Sequence, residues 1–563
     1  MKKILLLLFS GILAFSSCSM DDYFELKRPE TEPWISVDDL EYSVADPYTT
    51  LFQNPNWQSP VGIIPYYQEL AADLTVVNPW GAYEQEALYW YPRKMSEYDV
   101  TGEQMEKTFV VLYRAVTSTN NPLTYLEEKE AKGVDPFANM TDANRKQLQR
   151  QQGELYFMRG YTYWLISRAF VAPYSPGGDN SRRFIPLINK MDYSQEAMRN
   201  PYMGTVEEVY KQMESDFTKA KALIPENYVV RGRANKLTAS MLLMRVKWLM
   251  GDQTGALSEA NFIIQSVENS GSVFDLTEDP IVAFNRNAEA AYTADPFAKE
   301  VLFDVAYTQS GDYVAIPLVR FSKSGAYNHS SKTKPSPSDK TWVGGLRGDN
   351  WQHGAWACAY WNPKLIKYIG WAETDDPTDL TNYVPSAEAL SDKRFTQLHY
   401  FLRGHVAGGD KTVNEMSFPQ MTWNAFWNDR YYRAPYGKVS QLPLVRLAEA
   451  YLTRATLSLS SNAGQALSDV NKIRERAGLN PLLTVTESDI EKERIKELGF
   501  ENGDRLMYLV AMQRTIDGQK RNPGIVYTNP NTDGDAISAM NPPYASMYVP
   551  LPSVEYLYSN SYE

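Results

Sequence analysis

The stretch from Leu444 to Leu509 constrains this chain more than any other. Leu444, Leu447, Ala448, Tyr451, Leu452, Ala455 and Leu459 recur at three- and four-residue spacing, which places them on one face of an α-helix. Ser461, Asn462 and Gly464 interrupt that pattern. It resumes with Ala466, Leu467, Val470, Ile473 and Ala477 pointing inward, and Gly478 stands where a helix C-cap glycine belongs. Thr486 followed by Asp489 predicts a capping box for a third helix carrying Ile490, Ile495 and Leu498. A helical hairpin of about 34 residues is the tetratricopeptide unit. One such unit cannot bury both of its faces, so the remainder of the chain has to supply partners.

The same stretch carries a family resemblance. RLAEAYL, NKIRERAGL and ERIKELGFENGDRLMYLV, with Arg446, Glu449, Asn471, Arg474, Arg476, Gly478, Glu493, Arg494, Glu497, Glu501, Gly503 and Arg505, resemble the C-terminal block of the SusD/RagB family of surface nutrient-binding lipoproteins. Many members have E-G-x-R where this chain has Glu501, Asn502, Gly503, Asp504 and Arg505, one residue longer. Further matches lie upstream. Glu154, Phe157, Arg159, Tyr163, Leu165 and Phe170 are similar to a family helix. So are Gly232, Arg233, Ala234, Leu242, Arg245, Ala256, Leu257 and Ala260. Pro550, Pro552 and Glu555 resemble the terminal P-x-P-x-x-E segment.

The chain has 563 residues, of which 43% are hydrophobic, ample for a large core. A net charge of −12 argues against nucleic acid, which rewards a basic face. The leader has a recognisable form. Lys2 and Lys3 precede an apolar run from Ile4 to Phe15, and Ser16, Ser17 and Cys18 close it. The run is too short to span a bilayer, and a cysteine after small residues looks like a lipobox. The resemblance implies cleavage before Cys18, a lipid anchor on Cys18, and an export signal in Asp21 and Asp22 that places the protein on the outer membrane, facing the exterior. Cys358 is then the one remaining cysteine, so no intramolecular disulfide is expected.

In order, residues 1–17 read as a lipoprotein signal peptide and 18–45 as a lipid-anchored tether. Residues 46–273 read as an N-terminal tetratricopeptide-like helical scaffold. It includes helices at Gly62–Leu74, Glu103–Val116 and Gln147–Phe170, and one opened by the capping box of Thr205 and Glu208. A hairpin follows over Gly232–Asp252 and Ala256–Ser266. Residues 274–442 form a loop-rich insertion, with one strand-like run from Glu300 and otherwise turns, rings and polar residues. Residues 443–563 hold the C-terminal hairpin and closing segment. The expected fold is mainly α, with helical hairpins in a right-handed scaffold, a large irregular insertion and few short strands.

Sugar binding needs flat apolar faces for pyranose C–H groups and amide, carboxylate or guanidinium groups for the hydroxyls. Two ring-rich stretches offer both. One carries Asn78, Trp80, Tyr83, Tyr89 and Trp90; the other carries Tyr327, Asn328, Trp342, Arg347, Asp349, Asn350 and Trp351. Loop settings favour binding, and the competing reading of each ring is that it pins a loop to the scaffold. Seven of the 13 tryptophans fall between Trp342 and Trp427. Trp356 and Trp361, beside alanines, read as core, as do Trp164 and Trp248 inside helices.

Enzymatic signatures are thin. His353 and Cys358 lack an orienting third group. His329, His353, His399 and His405 have no metal-ligand spacing. Asn531, Asp533 and Asp535 imitate a calcium loop, but Ala536 replaces its glycine and Pro542 its glutamate. Gly344, Gly345 and Gly348 are not a phosphate loop. The chain is therefore expected to need no cofactor or metal and to catalyse nothing. The resemblance implies that it captures a glycan and hands it to a SusC-like TonB-dependent transporter. A peptide-binding relative and a surface glycoside hydrolase are the alternatives; the hydrolase requires a carboxylate pair that only three dimensions reveal.

Overall fold

The computed structural model describes residues 33–52, 59–77, 103–285, 298–306, 342–343, 359–373, 383–407, 411–413, 416–418, 421–428, 430, 441–520, 536–537 and 539–552. Eleven of its helices carry the architecture: α1 (Val37–Phe52), α2 (Pro60–Ala71), α3 (Glu103–Ala131), α4 (Asp142–Phe170), α5 (Val206–Leu223), α6 (Lys236–Leu249), α7 (Gln253–Glu268), α8 (Leu447–Ser458), α9 (Ala463–Arg476), α10 (Glu487–Leu498) and α11 (Asp504–Ala511). The fold is mainly helical, with few short strands.

The helix ends follow local chemistry. Thr205 accepts from the Glu208 amide, and the Glu208 carboxylate accepts from the Thr205 amide. Thr486 and Asp489 form the same reciprocal box at the start of α10, and Thr141 with Asn144 forms one at α4. Each satisfies two amides that a helix start leaves without partners. Gly478 ends α9 with φ +81°, a conformation that costs a residue with a Cβ far more than it costs glycine.

Packing runs helix to helix along the chain. α3 packs on α4, α4 on α5, α5 on α6, and α6 on α7. The next contact skips the insertion: α7 packs directly on α8, which packs on α9 and α10. The insertion is thus spliced into one continuous helical stack. Its ends are tied together by strands β2 (Val301–Ala306) and β7 (Gln441–Arg446), which pair antiparallel. A large core runs through the stack, a smaller cluster of Ala455, Ala466, Val470 and Ile490 joins α8, α9 and α10, and in α4 every residue from Gly153 to Leu165 is buried. Trp164 and Trp248 lie in that core, as their helical positions predict.

Several expectations need correction. The tether cannot extend to residue 45, because α1 begins at Val37 and buries Val37, Leu40 and Val44. The scaffold helix that starts at Glu103 runs on to Ala131 rather than ending at Val116. Pro122 removes one amide donor, yet the helix continues past it with Leu123 and Leu126 buried. Leu444 lies in β7, not in a helix; α8 starts at Leu447, and a three-residue period over so short a run does not separate the two. Leu467 is half-buried rather than inward. The insertion is also more ordered than its composition suggests. It holds β5 (His399–Ala407) and β6 (Met421–Asn428), a long antiparallel pair with a bulge between Trp423 and Ala425, and short helices at Pro363–Tyr368, Ala387–Ser391 and Lys393–Leu398.

Candidate functional site

The two ring-rich stretches are separate in sequence, and a strand that precedes the first pairs with a strand that follows the second. Strand β1 (Thr75–Val77) pairs antiparallel with β4 (Ala359–Trp361), in the register Thr75 to Trp361 and Val77 to Ala359. In an antiparallel pair the exit of one strand lies beside the entrance of the other. The chain therefore leaves β1 toward Asn78 at the same end of this ribbon where it arrives at Ala359 from Trp351. Strand β3 (Trp342–Val343) joins the edge of β5, with Trp342 opposite Leu402. Strand β4 packs against β6. Of the candidate residues, only the backbone of Trp342 is placed. Asn78, Trp80, Tyr83, Trp90, Tyr327, Arg347, Asp349 and Trp351 lie outside the described residues, as do the anchor Cys18 and the rejected calcium-loop positions Asn531, Asp533 and Asp535.

Beneath this ribbon lies a nest of buried rings. Trp361 meets Trp371 at 5.7 Å, His399 at 5.2 Å and Phe500 at 5.0 Å between centroids. Phe395 stacks on Phe426 at 5.4 Å. Such tilted and offset pairs add about 0.5–1.5 kcal/mol each beyond their area. His399 sits inside the nest, with Nδ1 2.9 Å from the carbonyl of Arg394. Burial, and after it the charge of Arg430, holds its pKa well below the ordinary histidine value. A neutral, fully enclosed imidazole is a packing group here. Trp361 reads as core in the sequence, and it is core.

Next to the rings lies a lattice of buried charges that the sequence pattern alone does not single out. Arg446 reaches Glu497 at 3.0 Å, Glu501 at 2.7 Å and Glu300 at 2.5 Å. Arg476 pairs with Glu300 at 3.0 Å and with Glu497. Arg430 donates to Glu501 and, at 2.9 Å, to the carbonyl of Glu497. Arg394 bridges Asp392 and Glu493, at 2.8 and 2.7 Å, and Arg474 meets Glu493 at 2.5 Å. Burial pushes the Glu493 carboxyl up, but Arg394, Lys496 and Arg474 outweigh it and hold the pKa at about 2. The arginines and carboxylates named here balance in number, and charge-assisted bonds tie them to one another. This is bracing rather than a receptor for an ion. Among the described residues no group of His, Cys, Asp and Glu is placed to hold a metal.

Many of the lattice residues are the ones that carried the resemblance: Arg446, Arg474, Arg476, Glu493, Glu497 and Glu501. A signal for burial was available in their spacing. Glu493, Glu497 and Glu501 recur every four residues, so that Glu493 and Glu497 share the face of α10 that a helix turns toward its neighbours. The remaining lattice members Glu300, Asp392, Arg394 and Arg430 come from the insertion, at separations no helical period can reveal.

No described helix is long and apolar enough to cross a membrane. Two family models match the chain. One, described as starch-binding associating with outer membrane, matches residues 31–247; the other, the SusD family, matches residues 314–556. A SusD-like protein P2 from Formosa agariphila is 26% identical over 359 residues, which is 61% of this chain and 59% of that protein's length. Solved structures share the fold across nearly the whole chain. A SusD-like carbohydrate binding protein from Bacteroides vulgatus superposes with TM-score 0.62 at 16% identity, covering 94% of this chain and 97% of that one. A SusD superfamily protein from Bacteroides thetaiotaomicron gives 0.62 at 16%, covering 93% and 98%. Surface glycan-binding protein A from Bacteroides uniformis gives 0.54 at 18%, covering 84% and 88%.

Proposed function

The chain belongs to the SusD family, and from that premise we propose that it captures glycan at the cell surface and delivers it, uncleaved, to a SusC-like TonB-dependent transporter. In this reading a lipid on Cys18 anchors the protein to the outer membrane, and the helical stack faces the transporter. The names of the relatives, carbohydrate binding and glycan-binding, support the ligand class.

The observation that carries the reading is the pairing of Val77 with Ala359. It sets the strand before Asn78 beside the strand after Trp351, which supports a single ligand face. Trp80, Tyr83, Trp90, Tyr327, Trp342 and Trp351 would offer ring faces to sugar C–H groups. Asn78, Arg347 and Asp349 would hydrogen-bond the hydroxyls. Each such contact contributes only about 1 kcal/mol net, so a ligand of repeated units that engages several sites gains most.

The test is retention of the soluble protein, starting after Cys18, on plant, host and microbial glycans beside a peptide pool. Retention by a glycan whose size is unchanged afterwards is expected. Retention by peptides alone, or a shortened glycan, would overturn the reading. Trp80→Ala and Trp342→Ala are each expected to weaken retention about tenfold, roughly one lost stacking contact. If both bind as the parent does, the ligand face lies elsewhere.

A further inference from the structure

The turn between α10 and α11 is wound against its own preferences. Phe500, Asn502 and Gly503 all have positive φ, at 67°, 51° and 68°, and only one of them is glycine. Left-handed residues with side chains persist where surrounding structure over-determines them. Here the surroundings are the roots of the insertion and of the first ring-rich stretch. Arg505, just past the turn, forks onto Asp73, with Nε to Oδ1 and Nη2 to Oδ2 both at 2.7 Å. Asp73 lies two residues before β1. The Gly503 amide donates to Glu69 of α2 at 3.0 Å. The Phe500 ring packs on Trp361 in β4, and a Cβ on Gly499 would lie 3.2 Å from that same indole. Glu501 grips Arg446 in β7 and Arg430, two residues past β6. The side chain and amide of Asn362, which follows β4, bond the carbonyls of Asp73 and Leu74 at 2.8 Å.

Four segments, at β1, β4, β6 and β7, are therefore gripped by one turn, although they are drawn from residues 73 to 446 of the chain. We propose that residues 499–505 are a positioning element: the turn fixes β1 and β4 relative to β6 and β7, and so sets the spacing of the ligand-bearing stretches. Arg505 and Phe500 act through the strands and touch no ligand. The proposal rests on the glycan-capture reading for its functional meaning, but its structural core can be tested without any ligand.

Native-state hydrogen exchange of the wild-type protein in rising denaturant comes first. Residues 75–77, 359–361 and 499–505 are expected to open as one cooperative unit. Exchange of 75–77 and 359–361 through a separate opening, far easier than that of the turn, would overturn the proposal. Asp73→Asn is then compared with Asp216→Asn, which weakens an equally buried pair with Arg159 in the scaffold. Asp73→Asn is expected to speed exchange in β1 and β4 about tenfold or more and to weaken glycan retention, with α8 and α9 unchanged. Asp216→Asn should leave β1 and β4 at the wild-type rate. If the two variants alter β1 and β4 alike, the turn is ordinary core. Should Asp73→Asn fail to fold, Arg505→Lys, which keeps the charge and loses the fork, takes its place with the same two outcomes. A wild-type protein that exchanges as expected but retains no glycan would sink the capture reading and leave the positioning role standing.

Discussion

In the scaffold, Arg159 of α4 grips Asp216 of α5 with two bonds of 2.7 and 3.0 Å, and Asn120 of α3 accepts a third at 2.9 Å. In the C-terminal block, Arg446 grips Glu300, Glu497 and Glu501, which in turn hold Arg476 and Arg430. Both arrangements are buried. The first joins helices that already pack by their apolar faces, so it adds register to a contact the core would make anyway. The second joins pieces that no repeated helical stripe brings together: the root of the insertion, its returning strand, the end of α9 and the turn after α10. Where the chain repeats a hairpin, apolar stripes carry the packing and ion pairs such as Arg159–Asp216 mark the fit. Where distant segments of irregular sequence converge, geometry is fixed by charged groups that tolerate few alternatives.

That contrast can be broken experimentally. The largest effect is expected for Arg446→Met, which takes one partner from each of three buried carboxylates and leaves the lattice one cation short. The loss should be about 5 kcal/mol, the upper end for a broken buried pair, read from the soluble yield and denaturant midpoint. Arg159→Met strands only Asp216 and should cost about 3–5 kcal/mol; adding Asp216→Leu should recover most of it, because an isolated pair is replaceable by apolar packing. The same rescue applied at Arg446 with one carboxylate should recover little. If the two sites respond equally, the lattice is merely a sum of pairs.

A third prediction concerns pH. Glu69 of α2 accepts from the Gly503 amide. Burial, and after it the charge of Asp504, raises its pKa from 4.5 to about 8. A carboxyl that holds its proton more tightly when folded stabilises the fold fully below its unfolded pKa, and that stabilisation is lost as pH rises through the folded value. Between pH 5 and pH 8 the loss from this group should be about 3 kcal/mol. Glu69→Gln should remove that slope from a stability profile measured by denaturant titration. An unchanged slope would mean that the joint between α2 and the turn carries no extra proton. Glu493 runs the other way: with its pKa held at about 2, its contribution is complete above about pH 4.5 and fades as pH falls toward 2. The smallest effect belongs to the scaffold: Thr205→Ala removes one reciprocal cap and should cost about 1 kcal/mol, read from the thermal midpoint.

The parts legible in the sequence were those governed by neighbours a few residues away. The capping boxes at Thr205 and Thr486, the C-cap at Gly478 and the enclosed indoles of Trp164, Trp248 and Trp361 all follow from short-range pattern. The errors sit where local pattern is ambiguous. Leu444 fits a helical period by position, yet its strand is decided by pairing with β2. Residues 37–45 read as tether because polar residues dominate their composition, yet Val37, Leu40 and Val44 continue the buried face that Tyr48, Leu51 and Phe52 complete, and that face docks α1 on α3 and α4. The ring-rich stretches were recognised by composition, while the pairing of Val77 with Ala359 could not be read from residues so far apart.

The sequence by itself determined that this chain is a helical-hairpin protein with a spliced insertion, because helix period, caps and apolar stripes act over one or two turns. Only the tertiary structure decided that α7 meets α8 across the insertion and that one turn collects Asp73, Trp361, Arg430 and Arg446. Those contacts depend on which distant groups are brought together once the helices stack. A charge or a ring in the chain does not by itself specify the partner it will meet.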